Sequence, residues 1–159
     1  MRFRLLSTLC ALALFAGCLG TSTEPTPRPA VPIEETTFAP ALGVDLAAST
    51  KLPSGLYYRD ITPGTGTILA AGQTVGVRYV GSFANGNEFD SNPAPEDVFS
   101  FPLGSGRVIE GWDVGLVGMK VGGRRQLIIP PALGYGPYDY RTIPGNSVLV
   151  FTVDVVSAQ

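Results

Sequence analysis

The 159-residue chain contains no histidine, and its two cysteines, Cys10 and Cys18, both fall in the first 18 positions. Histidine-based triads, histidine metal sites and histidine pH switches are thereby excluded. Past Cys18 no thiol remains to act as nucleophile, disulfide partner or metal ligand. Chemistry in the rest of the chain must rest on aromatic rings, hydroxyls, backbone amides and carboxylates. The aromatic supply is one Trp, six Tyr and eight Phe. A net charge of −2, from 11 basic and 13 acidic residues, argues against a nucleic-acid surface, because phosphate binding needs clustered cations. With 45% hydrophobic and 15% charged residues the chain can bury a core, so global disorder is excluded.

The elements that must position such groups are legible in residues 50–159, a length suited to one core. Leu56, Tyr58 and Asp60 alternate with Tyr57, Arg59 and Ile61, predicting a short strand punctuated by Pro63-Gly64 and Gly66. Val75, Val77 and Tyr79 recur at period two, predicting a strand with one apolar face. Asn85-Gly86, between Phe83 and Phe89, predicts a hairpin turn, because both central residues tolerate positive φ. Leu127–Ile129 reads as a strand ending at Pro130-Pro131. Val148–Val156 is the strongest strand signal. Leu149, Phe151, Val153 and Val155 share one face, with Thr152 and Asp154 opposite, beside Val150 and Val156. Ile109, Trp112 and Leu116 at i, i+3 and i+7 predict one short helix. Gly111 and Gly115 weaken it by roughly 1 kcal/mol each, so packing on Trp112 must hold it. Arg124 and Arg125, near Lys120, read as a solvated face. The sum is an α+β domain, an antiparallel sheet with its concave face on one helix.

The N-terminal third reads differently. Arg2 and Arg4 precede an apolar run, Leu5 to Ala16, and the small pair Ala16-Gly17 sits directly before Cys18. That pattern predicts a signal peptide over residues 1–17, too short to serve as a permanent span. Ala16-Gly17-Cys18 resembles the lipobox of bacterial lipoproteins, although Phe15 stands where an aliphatic residue is usual. The resemblance implies an acylated Cys18 as the first mature residue, a lipid anchor in a membrane. Loss of Arg2 and Arg4 would leave nine basic against 13 acidic residues. Residues 18–49 have no periodic pattern, and Pro25, Pro27, Pro29, Pro32 and Pro40 lie among threonines and glutamates. This stretch is expected to be a disordered tether holding the domain at 50–159 off the membrane.

Several short runs then occur in a telling order: Val77-Arg78-Tyr79-Val80-Gly81, Gly86-Asn87-Glu88-Phe89-Asp90-Ser91, Phe99-Ser100-Phe101-Pro102-Leu103-Gly104, Val108-Ile109-Glu110-Gly111-Trp112-Asp113, Gly118-Met119-Lys120-Val121-Gly122, Leu133-Gly134-Tyr135-Gly136, Ile143-Pro144 and Leu149-Val150-Phe151. In this sequence they resemble the FKBP-type peptidyl-prolyl cis-trans isomerases, over about Gly55 to Val156. The resemblance implies a five- to six-stranded antiparallel sheet wrapped around one short helix. It also implies rotation about Xaa-Pro amides, whose barrier is ~18–20 kcal/mol and whose uncatalysed exchange takes tens of seconds. No bond is broken in that reaction, so no cofactor and no metal is expected.

By the same resemblance, Trp112 forms the floor beneath the proline ring. Tyr79, Phe89, Phe99, Val108, Ile109 and Phe151 form the walls. The Ile109 N–H and the Tyr135 hydroxyl bond substrate carbonyls, Asp90 is a polar group at the rim, and Ile143 lines a loop over the cleft. Taken singly these residues read more plainly: Trp112 and Phe151 as core, Phe89 and Phe99 as strand aromatics, Tyr79 and Tyr135 as satisfied core tyrosines, Asp90 as a turn or cap residue. Two departures from the family pattern stand out. No basic residue follows Asp90-Ser91 to pair with the aspartate, which implies a less tightly oriented Asp90. The loop from Gly136 to Ile143 is one residue shorter than a common form.

The expectation is an envelope-anchored isomerase acting on Xaa-Pro segments of exported proteins, sensitive to macrolide inhibitors, monomeric and without nucleic-acid partners. Leu19 after the cysteine points to the periplasmic side of an outer membrane in a Gram-negative cell. The alternative is a non-catalytic or weakly catalytic envelope lipoprotein that holds proline-containing or unfolded segments.

Overall fold

A computed structural model of the chain describes residues 26–95 and 98–159. Cys18, the residue expected to be lipidated, and the expected signal peptide over residues 1–17 lie outside the described residues. Seven strands, β1 (Thr50–Lys51), β2 (Tyr57–Thr62), β3 (Thr74–Phe83), β4 (Glu88–Asn92), β5 (Phe99–Pro102), β6 (Arg124–Ile129) and β7 (Leu149–Ala158), form one sheet, and α1 spans Glu110–Gly115. The order is β1-β2-β6-β7-β3-β4, with β5 also pairing β3, and every pairing is antiparallel. The strand count exceeds the five to six expected, partly because two-residue β1 pairs with β2. Long β3 serves two partners: Val75 faces Phe101 on β5, while Gly81 faces Asp90 on β4.

Period-two patterning places the core as expected. Val75, Val77, Leu127, Ile129, Leu149, Phe151, Val153 and Val155 are buried in one cluster with Leu56, Trp112 and Leu116. α1 lies against this face, and its glycines have a positive reason to be there. A Cβ on Gly111 would sit 2.6 Å from Ile129 Cγ2, and one on Gly115 would sit 2.9 Å from Leu127 Cδ2. The helix thus trades intrinsic propensity for close approach to β6. Ile109 departs from the predicted helical face: its backbone is extended at the N-cap, with φ −61° and ψ 146°, and its side chain is only partly buried.

Three further expectations need correction. The hairpin turn is not a two-residue Asn85-Gly86 turn with both residues at positive φ. Gly86 has φ +90° and donates its N–H to the Phe83 carbonyl at 2.9 Å, while Asn85 is not among the positive-φ residues. Asn85 instead accepts the Asn87 N–H through its side chain at 3.0 Å. Arg125 is not on a solvated face; it is 5% exposed. Its guanidinium meets Asp60 twice, at 2.7 and 3.0 Å, donates to the Gly115 carbonyl at 2.8 Å, and lies 4.2 Å from the Tyr58 ring centroid. Arg124 does remain exposed, paired with Asp154 at 2.9 Å.

The third correction concerns the tether. Residues 32–46 are a strap packed on the outer face of the sheet, so the expected free tether does not extend to residue 49. Ile33, on a 3-10 turn at Ile33–Glu35, is 4% exposed and packs with Tyr57, Ile128, Val148 and Val150. Phe38, Leu42, Val44 and Leu46 join the same cluster. Polar bonds seat the strap: Ala39 N–H to the Ala84 carbonyl at 2.8 Å, Gln126 Nε2 to the Leu42 carbonyl at 2.8 Å, and Arg59 to the Gly43 carbonyl at 2.8 Å. Glu34 accepts from Lys51 at 2.5 Å and from the Tyr57 hydroxyl at 2.6 Å. Proline removes donors and fixes φ but does not forbid packing. The apolar residues between the prolines find a hydrophobic patch that the sheet would otherwise leave wet.

Candidate active site

On the concave side, α1, β3, β4, β7 and the loops after β5 and β6 enclose a cavity of about 360 Å3. Its lining includes Tyr79, Asp90, Phe99, Val108, Ile109, Trp112, Tyr135 and Phe151, eight of the ten pocket residues expected. The period-two register explains why Tyr79 and Phe151 converge: both project from the inward face of the paired strands β3 and β7. Trp112 projects from α1 and is 4% exposed. Tyr79 stands nearly perpendicular to it at 5.0 Å between centroids, Phe151 likewise at 5.3 Å, and Phe99 at 6.3 Å. Edge-to-face contacts of this kind stiffen the rings against one another. Buried Phe101 backs Trp112 at 5.7 Å.

Phe89 and Ile143 sit differently. They line a neighbouring hollow shared with Asp90, Tyr135 and Tyr140. Phe89 acts from behind, perpendicular to Phe151 at 5.5 Å, and Ile143 is buried in the main core. The backbone between these rings must be bare: a Cβ on Gly81 would meet Phe151 Cε1 at 2.6 Å and Phe89 Cζ at 3.0 Å.

The polar groups are few. The Tyr79 hydroxyl donates to Asp90 Oδ2 at 2.8 Å. Asn92 is the register partner of Tyr79, so Asp90, two residues back on β4, shares its face of the sheet. This bond corrects the expectation of a loosely oriented Asp90: a tyrosine does what a basic neighbour would do. Burial, and then the Asp90 carboxylate at its hydroxyl, push the Tyr79 phenol well above its ordinary pKa. Burial likewise raises the Tyr135 phenol, with smaller contributions from Asp90 and Tyr140. Both stay protonated donors at neutral pH. Among the described residues the Tyr135 hydroxyl and the Ile109 N–H make no hydrogen bond. Two donors therefore face a cavity lined mostly by aromatic rings.

Three contributors escaped the sequence reading. Arg107 and Tyr140 also line the cavity, and Tyr140 stacks on Tyr135 at 5.0 Å with the rings 15° apart. The signal for Arg107 was its place directly before Val108-Ile109, and for Tyr140 its place in the short loop after Tyr135. Asp113 works from outside the cavity. Its carboxylate accepts the Gly104 and Gly106 N–H groups at 2.7 and 2.8 Å, fixing the turn that leads into Arg107–Ile109.

Comparison with known proteins agrees with this geometry. The family described as FKBP-type peptidyl-prolyl cis-trans isomerase matches residues 66–156. FK506-binding protein 4 of Rhizopus delemar is 50% identical over 112 residues, covering 68% of this chain and 28% of that protein. FK506-binding protein 4 of Gibberella zeae is 42% identical over 127 residues, covering 79% of this chain and 26% of that protein. The chain thus spans about a quarter of the length of the curated relatives it matches. Among solved structures, FkpA from Escherichia coli aligns with TM-score 0.65 and 37% identity over 70% of this chain and 52% of that one. AtFKBP13 aligns with TM-score 0.65 and 35% identity over 70% of this chain and 98% of that one. The match over residues 66–156, the identities of 42–50% and the shared fold together show that the chain belongs to the FKBP-type peptidyl-prolyl cis-trans isomerase family.

Proposed function

We propose that the protein catalyses cis-trans isomerisation of Xaa-Pro bonds in exported proteins while anchored by lipid at Cys18 in a bacterial envelope. The observation that carries the catalytic part is the Trp112-floored aromatic cavity facing two unengaged donors, the Ile109 N–H and the Tyr135 hydroxyl. A planar prolyl amide is polar and conjugated; twisted by about 90° it loses conjugation and polarity. A dry aromatic site therefore favours the twisted amide over the planar one, which is differential binding of the transition state. The proline ring packs on Trp112, and the two donors hold carbonyls of the segment on either side of the rotating bond. Each tenfold of acceleration requires about 1.4 kcal/mol of such preference. The Tyr79–Asp90 bond keeps the rim carboxylate from turning into the apolar floor.

The envelope part is supported by the basic and apolar leader and the Ala16-Gly17-Cys18 sequence. The periplasmic side of an outer membrane fits Leu19 after the cysteine. Thr26–Arg28 line a hollow with Pro137–Asp139, and the Arg28 carbonyl accepts from the Asn146 side-chain amide. From Cys18 to Thr26 the reach is at most ~30 Å, so the cleft stays close to the membrane surface.

The test is kcat/KM for a Leu-Pro peptide with the full chain, with and without FK506. Fast turnover blocked by FK506 is the expected result. Tyr135→Phe should lower kcat/KM about fivefold, the equivalent of about 1 kcal/mol. A folded chain without turnover would overturn the catalytic reading in favour of a module that only holds such segments. For the anchor, Cys18→Ser should release the protein from the membrane fraction; retention there would overturn acylation.

A further inference from the structure

Arg107 is the cation that lines the aromatic cavity. Lys51 pairs with Glu34, Arg124 with Asp154 and Arg125 with Asp60, and Arg59 donates to a backbone carbonyl. Arg107 is exposed to solvent, lines the aromatic cavity, and makes no ion pair or hydrogen bond among the described residues. Its place is fixed, because Asp113 ties down Gly104 and Gly106 immediately before it. The carboxylate of the cavity, Asp90, is engaged by Tyr79 and forms no ion pair with it. Glu110, at the exposed start of α1, does not pair with it either. A second positive charge stands across the rim, where Arg141 Cζ lies 5.5 Å from the Tyr140 ring centroid.

A guanidinium that lines a cavity without an acceptor of its own is open to one brought by a ligand, and a carboxylate is the acceptor that fits its planar fork. Two residues on, the free Ile109 N–H is where a substrate carbonyl docks, so a chain bound there runs past Arg107. Building on the isomerase reading, we infer that Arg107 makes the cleft select proline segments carrying Glu or Asp within two residues of the proline. Polar contacts to substrate thus come from the loop before α1 as well as from Tyr135, and the charge preference is set by a residue that does not touch the rotating bond.

The experiment uses the full chain and two matched peptide pairs: Glu-Pro against Gln-Pro, and Pro-Glu against Pro-Gln, with Leu-Pro-Phe as neutral reference. Two readouts are taken, kcat/KM and the dissociation constant from the fluorescence of Trp112, the single tryptophan of the chain. The Glu/Gln ratio is formed within each variant, so any general loss of activity cancels. In the unmodified protein it should be about two- to fivefold in at least one frame, the range of an exposed charge pair, and should shrink as salt is raised. R107Q should bring it close to one, and R107E should turn the preference toward Lys. A ratio near one in both frames would overturn the inference, as would an undiminished ratio in R107Q, which would place the selectivity on Arg141. Absence of turnover with every peptide, including the neutral one, would defeat the isomerase reading alone; the binding ratios would still decide the role of Arg107.

Discussion

Ile33→Ala asks whether the N-terminal strap belongs to the folded domain or merely rests on it. Ile33 is 4% exposed and packs on Tyr57, Ile128, Val148 and Val150. The substitution removes three buried carbons, each contributing about 0.8 kcal/mol by transfer from water. That gives about 2.4 kcal/mol. The cavity contribution is small, because a strap at the surface can settle into the space it leaves. The expected loss is therefore about 2–3 kcal/mol. At a urea dependence of about 2 kcal/mol per M, the unfolding midpoint should fall by about 1–1.5 M with the slope unchanged. Equilibrium urea unfolding followed by far-UV circular dichroism measures this. A companion comparison starts the chain at Thr50 instead of Thr26. Removal of the whole strap uncovers all four sheet residues and the Gln126 amide bond to Leu42, so its loss should exceed that of Ile33→Ala. A change below about 0.5 kcal/mol in both would refute the reasoning and return the strap to the status of a tether.

Three other outcomes follow from named contacts. Gly81→Ala places a methyl 2.6 Å from Phe151 Cε1, so the ring must shift; kcat/KM should fall about tenfold in a folded protein, whereas a value within about twofold would remove Phe151 from the wall. Asp60→Asn removes the counter-charge of the buried Arg125 guanidinium and one of its two carboxylate acceptors; a loss of about 2 kcal/mol in urea unfolding is expected, and no change would mean solvent already serves Arg125. Lys51, and then the Tyr57 hydroxyl, hold the Glu34 carboxyl down at about pKa 2 from an ordinary 4.5. Its contribution is thus present above pH 4.5 and lost as pH falls through 2, so Glu34→Gln should flatten the acid side of the stability profile; identical acid slopes would count against the strap's polar clasp.

The concave half of the fold was legible because one physical signal, apolar alternation at period two, coincides there with the core. Val75, Val77, Leu149, Phe151, Val153 and Val155 are inward for that reason alone. The outer half was not, because there the same signal looked like noise. Tyr57, Ile128 and Val150 sit on the register opposite the core, where a sheet with one wet face should carry polar groups. They are apolar because a second layer covers them. Leu42, Val44 and Leu46, spaced by two, carry the matching pattern on the strap, hidden in a segment whose prolines suggested solvated chain. The site divides in the same way. Its rings were recoverable from their order along the chain, but the Tyr79–Asp90 bond, the inward turn of Arg125 and the isolation of Arg107 depend on which groups meet across strands.

The Tyr79–Asp90 bond also bears on why the cleft works without a basic residue after Asp90. An arginine or lysine partner would orient the carboxylate and cancel its charge together. Tyrosine separates those two effects. The phenol, kept protonated by burial and by the carboxylate it serves, fixes Asp90 with one bond at 2.8 Å but leaves the negative charge in place. That charge sits in a cavity whose other formal charge, Arg107, is unpaired and on the opposite loop. The site thus carries a separated pair of charges across an aromatic floor, where a neutral ion pair would give none. A peptide lying between them meets a directional field along the cleft, and its orientation is then set partly by where its own charges fall relative to the proline. In the proposed reaction, hydrophobic contact with Trp112 selects the ring, and the charges select the frame in which the ring is presented.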